Sequence, residues 1–160
     1  MNIFVLDCNP RLAAQYHCDK HVVKMCLEYA QLLSTAARQL CVRPSAVLYR
    51  STHVNHPCAR WVRQSSGNVR WMRRMLVCLG AEYSRRYHGR QHRSVNIGIR
   101  AADQLLACMP NKRRTPFALA MPDKYRSRDA VASYRRYYKG SKAAIATWKT
   151  NPPAWWRKRN

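Results

Sequence analysis

Apolar positions along this chain recur mainly with a helical period, and they mark out about five helical stretches. The longest opens at Asn9-Pro10, a capping residue followed by proline at the first helical position. Its pattern continues to about Leu40, short of Arg43-Pro44. At about 100° per residue, His17, His21, Lys24, Glu28 and Gln31 share a sector of roughly 80°. Val22, Val23, Met25, Cys26, Leu27, Tyr29, Ala30, Leu32 and Leu33 fill most of the rest. An ordinary amphipathic helix turns a broad polar face to water. A narrow titratable stripe on an apolar rod instead needs partners or a wet pocket, because unpaired buried charge is costly. The stripe reads as one wall of an active site. The plainer alternative is an exposed seam with a Lys24–Glu28 pair at i, i+4.

The other elements follow from shorter signals. Asn2 to Leu6 is an apolar run that fits either a short strand or a buried extended segment. Asp7 after it either caps the long helix or projects into the same pocket. Asn55-His56-Pro57 opens a short helix through Trp61 and Val62, and Ser65-Ser66-Gly67-Asn68 caps the next, to about Tyr87. Its inner face carries Asn68, Met72, Met75, Leu79, Glu82 and Arg86, and Arg70, Arg73 and Arg74 point away. Glu82, one of only seven acids, either serves the pocket or pairs with Arg86. Ser94 or Asn96 caps a helix to Cys108. Residues 111–127 form an irregular connection of a length that is more often functional than idle. Ser127 caps a last helix to about Trp148. The expectation is mainly α: one compact helical domain over 1–150 with a short N-terminal extended segment, then a basic aromatic tail at 151–160.

Charge narrows the function. Thirty Lys+Arg against seven Asp+Glu give 160 residues a formal charge of +23. A polyanion, foremost nucleic acid, is the expected partner. No apolar run reaches the length of a membrane span, and the first residues lack a leader's charged start, so no membrane partner is expected. The seven cysteines form no CxxC, which suits reduced side chains in a cytoplasm. His17 and His21 have the spacing of helical zinc ligands, but the Glu of HExxH is Cys18 here. No metal or other cofactor is expected. GxSxG and the phosphate loop are absent as well.

Basic and aromatic residues interleave at Arg60-Trp61-Val62-Arg63, Arg70-Trp71-Met72-Arg73-Arg74, Tyr134-Arg135-Arg136-Tyr137-Tyr138 and Trp155-Trp156-Arg157. This pattern predicts a phosphate-binding surface with stacking platforms. Its expected contacts are Arg63, Arg70, Arg73, Arg74, Arg90, His92, Arg93, Lys112, Arg113, Arg114, Arg135 and Arg136. Within it would lie a pocket of Glu28, Lys24, His17 and His21, joined by Asp7, Asn55, His56 and Glu82. Such a set suits proton transfer and stabilisation of a leaving group.

The run Met1-Asn-Ile-Phe-Val-Leu-Asp7, then Asp19-Lys-His-Val-Val-Lys-Met25 with Glu28 and Gln31, begins a wider pattern. It continues with Asn55-His-Pro57, Trp61, Asn68, Trp71, Glu82-Tyr83, Arg86-Tyr87, Thr115-Pro-Phe117, Met121-Pro122 and Tyr134-Arg-Arg-Tyr137-Tyr138. Over nearly the whole chain this resembles a small all-α bacteriophage family. It is the second clade of α-glutamyl/putrescinyl-thymine pyrophosphorylase-like proteins, the amino-acid:DNA transferases of thymine hypermodification. The resemblance implies a phage protein of the host cytoplasm. It would join an amine, such as that of an amino acid, to the methylene of phosphorylated 5-hydroxymethyluracil in double-stranded DNA, with phosphate or pyrophosphate leaving. On that reading Glu28 or His21 deprotonates the amine, with Asp7 beside them. Lys24, with Arg63 or Arg86, takes the departing phosphate. Asn55, His56 and Asn68 hold the flipped base or the amino-acid carboxylate, and His17, Gln31 and Glu82 complete the substrate pocket. Two other readings stand beside it. One is a DNA repair glycosylase/lyase in which Lys24 attacks the sugar and Glu28 stabilises the cation; the other is a DNA-binding protein without catalysis.

Overall fold

A computed structural model describes residues 1–156 of the chain. Six α-helices follow one another: α1 (Pro10–Tyr16), α2 (Asp19–Leu40), α3 (Pro57–Gln64), α4 (Ser66–Arg86), α5 (Arg93–Cys108) and α6 (Ala130–Ser141). Among the described residues there is no β-strand, so the mainly α expectation holds. α2 is the hub, packed against α3, α4 and α5, while α1 lies along α4. Gly98 sets the approach of α5 to α2: a Cβ there would stand 2.9 Å from the Ala30 Cα.

The run Ile3–Leu6 is the extended segment, not a strand. It threads between α2 and α6. Phe4 stacks on His21 at 4.4 Å and 20° and meets Tyr134 and Tyr138 edge-on. Lacking a neighbouring strand, the backbone turns to side chains, and the Phe4 N–H donates to the Tyr29 hydroxyl at 3.2 Å. Ile3, Phe4, Val5 and Leu6 are each at most 3% exposed. Burying side chains of this size contributes about 1.5–3 kcal/mol apiece, which anchors the start of the chain.

The cap signals work as chemistry requires. Asn9 accepts the Arg11 N–H ahead of Pro10, His56 accepts the Cys58 N–H ahead of Pro57, and Ser65 accepts the Asn68 N–H. Three expected helices have different bounds. α5 starts at Arg93, before both Ser94 and Asn96, because His92 is its cap and accepts the Ser94 N–H. The long helix from Asn9 breaks at His17-Cys18, because the Arg86 guanidinium takes the carbonyls at the end of α1. Nη2 donates to Gln15 O and Nη1 to His17 O, each at 2.8 Å. The last helix starts at Ala130, capped by Asp129, whose carboxylate accepts the Val131 and Ala132 N–H groups; Ser127 bonds Ser133 instead. It stops at Ser141, not near Trp148, because the chain turns back to cap α2. The Asp19 N–H donates to Thr147 O at 2.8 Å, and the Trp148 indole donates to Tyr16 O.

The connection after α5 is irregular but firmly fastened. A Cβ on Gly67 would fall 2.3 Å from the Arg114 backbone nitrogen, so the connection lies directly on the start of α4. No helix among the described residues is long and apolar enough to cross a membrane.

Candidate active site

α2 carries two acids, Asp19 and Glu28, and it is Glu28, with its side chain 12% exposed, that faces the start of the chain. Its Oε2 accepts the Asn2 N–H at 3.1 Å and faces the Met1 α-ammonium at 3.8 Å. Its Oε1 faces Lys24 Nζ at 3.4 Å, one helical turn away. Two amines thus share one buried carboxylate. His56, capping α3, borders them. Burial lowers its basicity, the Met1 ammonium lowers it further, and Glu28 works the other way. Asn2 locks the approach. Its Nδ2 donates to Ala120 O at 2.7 Å, and its Oδ1 accepts from Tyr134 Oη at 3.1 Å and Cys58 Sγ at 3.6 Å.

The polar stripe of the long helix does not reach this centre as a unit. His17 ends α1 and lies wholly in the core, with Nδ1 on Ala13 O and Nε2 on the Tyr29 hydroxyl. His21 lies between Phe4 and the Tyr138 hydroxyl. Burial, the main cause in both, pushes His17 down to about 4 and His21 to about 3; nearby cations add to it. Both rings are neutral at physiological pH. Lys24 is 68% exposed and Gln31 is half-buried. Val23 and Leu27, expected on the buried side, are each 38% exposed beside Lys24. The helix break moves His17 off α2, and the rest of the stripe alternates: His21 and Glu28 are buried while Lys24 between them is exposed.

Several expected pocket residues are placed elsewhere. Asn9, not Asp7, caps α1; the Asp7 Oδ1 accepts the Asn9 N–H and its Oδ2 pairs with Arg135 at 3.2 Å. Asn68 is fully buried, bonded to Trp61 O and to both the hydroxyl and N–H of Thr115. Glu82 pairs with Arg85 at 2.8 Å and Arg86 at 3.0 Å, and Arg86 goes on to Asp19 at 3.1 Å. That network closes the α1–α2 break rather than opening to substrate. Asn55 is exposed beside His56. Among the described residues no three His, Cys, Asp or Glu side chains converge as a metal-ligand set.

The expected DNA surface also divides. Arg74, Arg90, Arg93, Lys112, Arg113 and Arg114 are exposed. Arg70 is exposed while reaching Asn111, Arg136 is exposed while bonding Tyr125 O, and Arg73 pairs with Asp103 at 2.7 Å. Arg63 donates to Val54 O, Arg135 to Leu6 O and Asp7, and His92 caps α5, so these three act inside the fold. The aromatic partners point inward. The Trp61 and Trp71 indoles donate to Pro116 O and Cys8 O, and Trp155 packs on Tyr16 and Trp156. The stacking platforms become core, because a tryptophan in an amphipathic helix gains more from burial than from exposure. Arg157 of the expected tail lies outside the described residues.

Sequence reasoning missed Met1, Asn2 and Tyr134 as parts of the centre. The available signal was the apolar run Ile3–Leu6. A run that must be buried drags the residues before it against the core. The model of a family described as pyrimidine dimer DNA glycosylase matches residues 1–94. No curated protein and no solved structure matches the chain.

Proposed function

From a chain that belongs to the pyrimidine dimer DNA glycosylase family, we propose an enzyme that excises an altered pyrimidine from DNA, using an amine held on Glu28 as its nucleophile. The observation that carries this is the pair of amines on one buried carboxylate, at 3.8 Å for Met1 and 3.4 Å for Lys24. The α-amine is the better candidate. An α-amine is a weaker base than a lysine amine, so more of it is unprotonated at neutral pH. It is also held in place through Asn2, whereas Lys24 extends into solvent.

The nitrogen attacks the sugar C1′ as the glycosidic bond breaks, and the base leaves with that electron pair and takes up a proton. Glu28 accepts the proton the amine loses and stabilises the cationic sugar on the way. Opening of the sugar ring, with O4′ taking a proton, gives an iminium between C1′ and the amine. Exposed cations on α4 and the 111–114 stretch would hold the phosphates while the target base is extruded, at a cost of a few kcal/mol.

Transfer of an outside amine to phosphorylated 5-hydroxymethyluracil would use Glu28 as the base instead. Both of its oxygens already face amines of the chain itself, which favours an internal nucleophile. Two incubations, one with dimer-bearing DNA and one with DNA carrying the phosphorylated base plus amino acids, separate the two. The protein is incubated with duplex DNA carrying a pyrimidine dimer and sodium cyanoborohydride, then digested and mapped by mass. A sugar adduct on residue 1 supports the proposal, and one on Lys24 moves the nucleophile. Intact DNA with no adduct overturns it, and a heavier nucleoside formed from the phosphorylated base plus amino acids establishes transfer.

A further inference from the structure

The seven cysteines are free, and most behave as small hydrophobes in the core. Cys41 and Cys108 depart from that pattern. Cys41 caps the C-terminal end of α2, and Cys108 is the last residue of α5. Their sulfurs are 3.0 Å apart although 67 positions separate them in sequence. That is about one ångström beyond a bonded separation of roughly 2.0 Å. Cys108 is exposed and Cys41 half-buried, so one of the two can meet a reagent while the other waits behind it. Among the described residues no other two cysteine sulfurs are in contact.

We infer that Cys41 and Cys108 form a disulfide site, closed by thiol–disulfide exchange with a small disulfide such as oxidised glutathione. The Cys108 thiolate attacks one glutathione sulfur, the glutathione S–S bond breaks, and the first glutathione thiolate leaves. Cys41 then gives its proton to water and attacks the Cys108 sulfur, expelling the second. Two protein thiols are oxidised and one glutathione disulfide becomes two thiols. Burial first, and the adjoining Cys108 sulfur second, push the Cys41 thiol up to about 12. Capping Cys108 removes the second cause at the moment Cys41 must react. The site sits where two connections leave the helices, 42–56 with His56 and 109–129 with Ala120, so the bond ties both at their roots. It does not depend on which reaction the Glu28 centre performs.

The test treats the full chain with glutathione disulfide or with dithiothreitol. Expected are the loss of the Cys41 and Cys108 thiols, a Cys41–Cys108 cross-linked peptide by mass, and a melting temperature about 5–15 °C above the reduced form. Cys8→Ser keeps that rise, whereas Cys41→Ser leaves glutathione on Cys108 and loses it. Glutathione that stays on Cys108 of the unaltered chain overturns the inference. So does a cross-linked form that melts at or below the reduced one, or a Cys108 that fails to react where Cys8 does.

Discussion

Glu28 and Glu82 are two buried carboxylates with opposite surroundings. Glu82 binds the guanidiniums of Arg85 and Arg86, and Arg86 spends its remaining donors on Asp19 and two helix-end carbonyls. Both carboxylate oxygens of Glu82 are held by these guanidiniums, so this acid is braced rather than free to take a proton. Glu28 faces two primary amines, one tethered through a single backbone bond and one largely in solvent. Guanidiniums do not give up protons near neutrality, whereas amines can. The cation type, more than the burial of the acid, separates a brace from the centre proposed to react.

The largest expected effect tests that distinction. Glu28→Gln keeps an acceptor for the Asn2 N–H but removes the base. We expect base excision to fall by about 10²–10⁴ while urea stability moves little. A nicking assay beside an unfolding curve reads both, and unchanged excision breaks the comparison. Arg86→Ala gives the mirror result: loss of about 3–5 kcal/mol in urea, because Glu82 and Asp19 lose a buried partner and two carbonyls lose their donor. Stability within 1 kcal/mol of the parent would make the Glu82 cluster ornamental.

The two buried histidines, His17 and His21, provide a pH test. Their folded forms take up protons only near 4 for His17 and 3 for His21, against 6.5 in the unfolded chain. Their contribution is complete above 6.5 and is lost as pH falls toward the folded values. About 2 kcal/mol per ring should disappear between pH 6.5 and 5, readable as a fall in the urea midpoint. A flat profile over that interval would contradict the neutral burial of these rings. The smallest effect belongs to Lys24→Ala. Its exposed ion pair is worth roughly 0.2–1 kcal/mol, and excision should fall less than tenfold. A collapse of activity would transfer the nucleophile from Met1 to Lys24.

Much of this was readable before folding. The proline-following caps at Asn9 and His56 and the serine before α4 depend on neighbours within three residues, so the sequence carries them locally. The break at His17-Cys18 depends on Arg86, 69 positions from His17, and no local pattern announces it. Inward placement of Glu28 was legible from the narrow stripe. Its partner was not, because a backbone amine has no side-chain signature. Trp61 and Trp71 misled for a related reason. Adjacency to arginine looks the same whether the ring faces a base or the core.

The family match ends at residue 94, yet the groups that grip Asn2 come from farther along: Ala120 and Tyr134. On the proposed function, chemistry and aim are encoded in different thirds of the polypeptide. A shortened chain of the first 94 residues would keep the acid and the amine but lose the vice that points one at the other. Under that proposal, drift in the later third retunes which lesion is engaged and leaves Glu28 and the Met1 amine in place.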